Sequence, residues 1–213
     1  MGALIGIGVD GRVIASLGVM SLTSTASATA SRRADPAEVA GTCPGDLVRA
    51  IRAEVRRGLD WQQTADGVAH ALRASLPGPA AILPASLRRG DAAGYQSHLL
   101  YAEPDGTFSI SAMVWLPGQQ TMIHDHVAWC VTGVLQGREH EEVFAPAGDG
   151  RELRLAARNV NPAGAVSGFA PPGDIHRVRN TGDTVAISMH VYGADISRLG
   201  NSIRRVYTLP IAP

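Results

Sequence analysis

An all-β body, a sandwich or barrel behind a short two-helix lead-in, is the fold the sequence predicts. Apolar spacing is helical in the earlier part of the chain and switches to a period of two from Tyr95 onward. Glycine (24) and proline (13) fall between the alternating stretches, where turns belong. The length of 213 residues suits one domain with additions.

Residues 1–35 read as a separate, disordered or wrongly started segment. No apolar run in Met1–Met20 approaches the ~20 residues of a membrane span. Arg12, Val13–Leu17 and the small residues Ser24–Ser31 imitate a secretory signal, and Met20 as the true initiator is the alternative. Ser21–Ala34 is a Ser/Thr/Ala tract. Residues 36–94 form the helical lead-in. Leu47, Val48, Ile51, Val55 and Leu59 have helical spacing, and Asp60 caps a second helix that ends at Pro77-Gly78-Pro79. Residues 95–213 form the β body. Its strands are read at Phe108–Trp115, Trp129–Leu135, Glu141–Ala145, Glu152–Ala157, His176–Asn180, Thr184–Tyr192 and Ser202–Tyr207.

Composition removes several function classes. The 19 basic residues balance 19 acidic ones, so no overall field draws the chain to nucleic acid or an anionic membrane. Every basic residue is arginine; without lysine, Schiff-base chemistry and the P-loop lysine are excluded. Two cysteines, Cys43 and Cys130, make neither a disulfide framework nor a thiolate zinc site.

Chemistry concentrates in three clusters. In an extended His124-Asp125-His126, both imidazoles share one strand face and can reach one ion. Gly118, five residues, His124-x-His126, three residues, Cys130, six residues and Gly137 reproduce the spacing of the first motif of the cupin superfamily. Cys130 stands where most cupins carry a glutamate ligand. Pro171-x-Gly173, two residues, His176, three residues and Asn180 match the second motif, with its leading glycine one position off at Gly164. The resemblance implies a single cupin, jelly-roll-like β-barrel in which His176 joins His124 and His126 as a metal ligand. Three neutral imidazoles leave a divalent ion its full charge and open positions; zinc hydroxide and ferrous iron are the competing uses.

The third cluster, Ser188-x-His190-x-Tyr192, puts three polar groups on one strand face, where they can satisfy one another or form a solvent-facing strip. With His124-Asp125-His126, Trp129, and His176 within Ile175–Asn180, it makes the stretch from Tyr95 to Tyr207 resemble the thiol dioxygenases of the cysteine dioxygenase family. His126-Val127-Ala128-Trp129 is most like the bacterial members, which act on cysteine or on 3-mercaptopropionate. The resemblance implies Fe(II) on His124, His126 and His176, with Ser188, His190 and Tyr192 as the catalytic chain. A small thiol and O₂ are the partners, and the product is a sulfinic acid.

Counted back from Leu135-Gln136-Gly137, Cys130 falls where animal members carry a cysteine thioether-linked to the pocket tyrosine, so a Cys130–Tyr192 cross-link is a candidate beside a plain buried thiol. The substrate-binding arginine of those members is absent. His98 occupies its place, with Gln96 beside it, and Arg204 and Trp129 are further candidate contacts. His70 reads as helix surface or core, and His140, among Glu139, Glu141 and Glu142, as a solvated strand end. The expected protein is cytoplasmic, a monomer or weak dimer, with no nucleic-acid or membrane partner. The rivals are a cupin hydrolase or isomerase on zinc or nickel, and a non-enzymatic small-molecule-binding cupin.

Overall fold

In a computed structural model, the described part of the protein is residues 43–212. The expectations for residues 1–35 and for the start of the helical lead-in lie outside it.

Helix α1 (Gly45–Val55) buries Leu47, Val48 and Ile51, the stripe their spacing dictates, and ends four residues before Leu59. Helix α2 (Trp61–Ala74) starts at the expected cap, where Asp60 accepts from the Gln63 backbone N–H at 2.8 Å. It buries Ala65, Val68, Ala69 and Leu72. Ten strands follow: β1 (Gln96–Ala102), β2 (Ser109–Trp115), β3 (His124–His126), β4 (Cys130–Gln136), β5 (Arg138–Ala147), β6 (Glu152–Pro162), β7 (Val166–Phe169), β8 (His176–Arg179), β9 (Ala186–Tyr192) and β10 (Ile203–Val206). A short helix α3 (Ile196–Leu199) precedes β10. Strand β7 had no signal in the sequence: Val166-Ser-Gly-Phe169 is brief and glycine-containing.

The strands make two antiparallel five-stranded sheets, ordered β1-β2-β9-β4-β7 and β10-β3-β8-β5-β6. These two sheets are compatible with the jelly-roll the sequence implies, and the second helix packs on β4 and β7 of the first sheet. Strand β9 is buried along its whole length, since it is covered on both sides. Ile187, Met189 and Val191 join Leu47, Ile51, Val68 and Leu72 in the main core. Each such fully buried apolar side chain contributes roughly 1.5–3 kcal/mol relative to exposure. Ser188, His190 and Tyr192 occupy the other face of β9 and point between the sheets.

Close approach of the helices needs small residues beneath them. A Cβ on Gly133 of β4 would lie 2.6 Å from Leu76 Cδ1 and 3.1 Å from Leu72 Cδ2. Arg52 of α1 ties the layers together: its Nε donates to Glu103 Oε1 at 2.7 Å and its Nη2 to the Tyr101 hydroxyl at 2.8 Å. Among the described residues, no helix is long and apolar enough to cross a membrane.

Candidate metal centre

Strands β3 and β8 pair at His124 and His176, so the ladder sets two imidazoles side by side. His126, two positions along β3, shares their face. The three rings stand 4.7, 4.8 and 5.0 Å apart between centroids. One nitrogen from each falls within 4.8 Å of the others, and all three side chains are buried.

The outer ring nitrogens are already engaged. His124 Nδ1 meets the Met122 carbonyl at 2.9 Å, His126 Nδ1 meets Asp174 Oδ2 at 3.1 Å, and His176 Nδ1 meets Glu141 Oε1 at 2.7 Å. Each Nδ1–H therefore donates outward and each Nε2 lone pair is left for the common centre. His176 Nε2 is buried and has no hydrogen-bond partner. Burial drives the His124 pKa down to about 3, helped by the neighbouring rings of His176 and His126. Burial also lowers His126. Neutral imidazoles are what a divalent cation requires. The residues fit a metal ion, and His124, His126 and His176 form a metal-binding triad.

Asp174 does double duty. Its Oδ2 also accepts the backbone N–H of His126 at 2.8 Å, fixing both ring and main chain. Burial opposes its ionisation, yet the hydrogen bonds from His126 hold its pKa below the usual range. Asp125, between the two β3 histidines, faces the opposite way. Its Oδ2 accepts from Arg204 Nη2 at 2.6 Å, Arg205 Nη2 at 2.8 Å and the Tyr207 hydroxyl at 2.8 Å, which clamps the C-terminal strand behind the centre.

The second row adjoins the triad. Ser188 Oγ lies 3.0 Å from His190 Nε2, and His190 Nδ1 lies 3.3 Å from the Tyr192 hydroxyl. The Tyr192 ring centroid is 6.4 Å from that of His126. Cys130 is the cross-strand partner of Tyr192 and is fully buried. Phe169 of β7, opposite Cys130, walls the site with centroids 5.0 Å from His126 and 4.9 Å from His176. A cavity of about 230 Å³ opens beside the triad, lined by Phe169, Asp174, His176, Glu141 and Asn159 among others, a volume for a small molecule.

The four candidate substrate contacts do not come to this site. His98 pairs with Ala112, which pairs in turn with Met189, so its side chain lies on the helix-facing side of the sheet. There it is 1% exposed, with both ring nitrogens unpartnered and a pKa lowered by desolvation. Gln96, opposite Val114, is on the same wrong face. The period of two reverses a strand residue's side with a shift of one position, and a count along the sequence could not fix that register. Trp129 belongs to the main core, where its indole lies against Gly193. The Arg204 guanidinium is committed to Asp125.

Sequence reading missed Asp174, Glu141 and Phe169. Asp174 was hidden in a Pro-Gly-Asp turn. Glu141 passed for part of a solvated acidic run, although its alternation with Glu139 and Val143 was a signal that this face could point inward.

Residues 85–201 match the family model described as Cysteine dioxygenase type I, more than half of the chain. Similar solved structures include a recombinant oxalate oxidase in complex with glycolate (22% identity, 42% of this chain and 43% of that one, TM-score 0.35). A Cupin 2 conserved barrel domain protein from Salinispora arenicola has 24% identity over 55% of this chain and 92% of that one, TM-score 0.40. TT1209 from Thermus thermophilus has 21% identity over 51% and 91%, TM-score 0.40. The chain spans less than half the length of the oxalate oxidase it matches.

Proposed function

Since the chain belongs to the cysteine dioxygenase type I family, we propose that it is an iron-dependent thiol dioxygenase that converts a small thiol to its sulfinic acid. L-Cysteine is the first substrate of this reading and 3-mercaptopropionate the second. The second is kept because β1 carries no arginine, a feature this chain shares with the 3-mercaptopropionate members it resembles.

The observation that carries the reading is the all-imidazole triad with the Ser188–His190–Tyr192 chain beside it between the two sheets. Where other cupins supply a carboxylate ligand, this chain has Cys130, whose thiol is pushed far towards the neutral form by burial. Ferrous iron held by His124, His126 and His176 would supply positions for a thiolate sulfur and for dioxygen, both atoms of which end on sulfur. The protein's share is positioning and proton control. Asp174, Glu141 and the Met122 carbonyl keep the ligand rings oriented. Burial holds the Tyr192 hydroxyl protonated, so it serves as a hydrogen-bond donor to substrate or oxygen. Burial and the nearby rings of His126 and His176 hold His190 neutral, with its pKa down at about 3, able to accept on one nitrogen and donate on the other. Phe169 presents an apolar wall to His126 and His176 on one side. The reading puts the chain in the cytoplasm, where small thiols stay reduced.

The test is anaerobic Fe(II) loading of the chain followed by oxygen uptake with each thiol in turn. Thiol-dependent uptake with matching sulfinate is expected. Stoichiometric iron with no uptake from any thiol overturns the reading, and stoichiometric zinc after native purification favours a hydrolytic cupin instead.

A further inference from the structure

We propose that Glu139 is a positioning residue for Tyr192: lying at the far end of the Ser188–His190 chain, its carboxyl decides which ring nitrogen of His190 carries the proton, and so where the phenol hydroxyl points. The effect on turnover rests on the thiol dioxygenase reading; the effect on His190 does not.

Glu139 is 2% exposed, and its Oε1 has no hydrogen-bond partner. It alternates with Glu141 on β5, so both carboxylates face the space between the sheets. Ser188 of β9 and Trp115 of β2 are its polar neighbours, and each favours the ionised carboxylate. Trp115 Nε1 is also 3.3 Å from Ser188 Oγ, and Tyr95 stacks on the indole at 4.4 Å. Asn161 of β6 is the cross-strand neighbour. Desolvation raises the Glu139 pKa to about 7; Ser188 pulls it down, the Glu141 charge pushes it up, and Trp115 pulls it down. A carboxyl in that position changes charge near neutral pH.

Each hydroxyl in the chain has one proton to give, and this fixes the direction of every bond. With Glu139 ionised, Ser188 donates to the carboxylate and accepts from His190 Nε2–H and Trp115 Nε1–H. His190 Nδ1 is then an acceptor, and Tyr192 donates to it. With Glu139 protonated, its O–H donates to Ser188 and Ser188 donates to His190 Nε2. His190 now carries its proton on Nδ1 and donates to the Tyr192 oxygen, which turns the phenol O–H away from the ring and towards the triad. The two states differ by one proton. It enters at the Tyr192 oxygen, each chain proton moves one place, and the last one ends on Glu139. His190 is neutral in both. Ser202, whose hydroxyl favours the ionised phenol, is available as a partner in either state.

The test is histidine-ring ¹⁵N NMR on the full chain carrying diamagnetic Zn(II). In the unsubstituted protein, the His190 tautomer should switch from Nδ1–H to Nε2–H as pH rises through about 7, with no charge gained. In Glu139→Gln, which has no proton to lose, one tautomer should persist over the same range. An unchanging tautomer in the unsubstituted protein, or an identical switch in the variant, overturns the proposal. Should Glu139→Gln not fold, ¹³C titration of the Glu139 carboxyl in the unsubstituted chain decides. Titration in step with His190 supports the proposal, and a carboxyl already ionised well below neutral pH overturns it. Neither NMR experiment needs a thiol, so their results stand whether or not oxygen uptake is found. Where uptake is found, Glu139→Gln should remove the inflection near neutral pH from the kcat profile and leave KM for the thiol unchanged.

Discussion

Cys130 and Tyr192 are direct partners across the β4–β9 ladder, and their side chains pack in one cluster on the pocket face. Directly opposed residues hold their Cβ atoms about 4.5–5.5 Å apart. A bond between the sulfur and the ring carbon beside the hydroxyl therefore needs no change of register. It would release the thiol hydrogen and one ring hydrogen to dioxygen as oxidant. After aerobic turnover with iron and thiol, intact mass should fall by two hydrogen atoms, mapped to the peptides holding Cys130 and Tyr192. Cys130→Ala should show no such loss, and an unmodified Tyr192 peptide from active protein would refute the link.

Metal affinity should depend on carboxylates that touch no metal. Glu141→Gln and Asp174→Asn leave the triad in place but weaken the bonds that orient His176 and His126. Each should reduce Fe(II) or Zn(II) affinity by roughly 10–100-fold. Competition titration against a chromophoric chelator measures it, and unchanged affinity in both variants would count against Nε2 ligation.

Much of this was legible in the sequence. Asp60 announced its helix cap, the two spaced histidine motifs announced the triad, and the alternation of Ser188, His190 and Tyr192 announced a shared face. What the sequence hid was the register between β1 and β2. His98 and Ser97 differ by one position, and only the pairing His98–Ala112 reveals that the histidine faces the helices. The pairing of Arg204 was hidden for another reason: its partner Asp125 is 79 residues away, and which arginine meets which carboxylate is decided by tertiary packing. Glu139 and Glu141 looked like surface charge because burial of a carboxylate is rare without partners, and the partners come from other strands.

Gly193 is a packing site for Trp129. A Cβ there would lie 2.2 Å from the indole Nε1, and a rigid ring cannot move aside cheaply. Gly193→Ala should cost about 1–3 kcal/mol in urea unfolding, with a change in tryptophan fluorescence. Full stability in this variant would show that the indole has room the packing does not suggest.

Acid should destabilise the metal-free chain. Burial holds the His190 pKa at about 3 in the folded state, well below its unfolded value. The unfolded chain thus binds the proton first as pH falls, so stability is full above about 6.5 and declines towards 3, by up to about 1.4 kcal/mol per pH unit for this one group. Urea unfolding at a series of pH values should give a shallower slope for His190→Gln than for the unsubstituted protein. Equal slopes would mean that His190 is not the buried neutral ring described.

A triad of imidazoles should leave room on the metal for a sulfur ligand. X-ray absorption at the iron edge of the Fe(II)-loaded chain, before and after anaerobic thiol addition, tests it most directly. Imidazole scattering from His124, His126 and His176 is expected without thiol, and a new iron–sulfur shell with it. A spectrum indifferent to thiol, or one that survives His176→Ala unchanged, would contradict it.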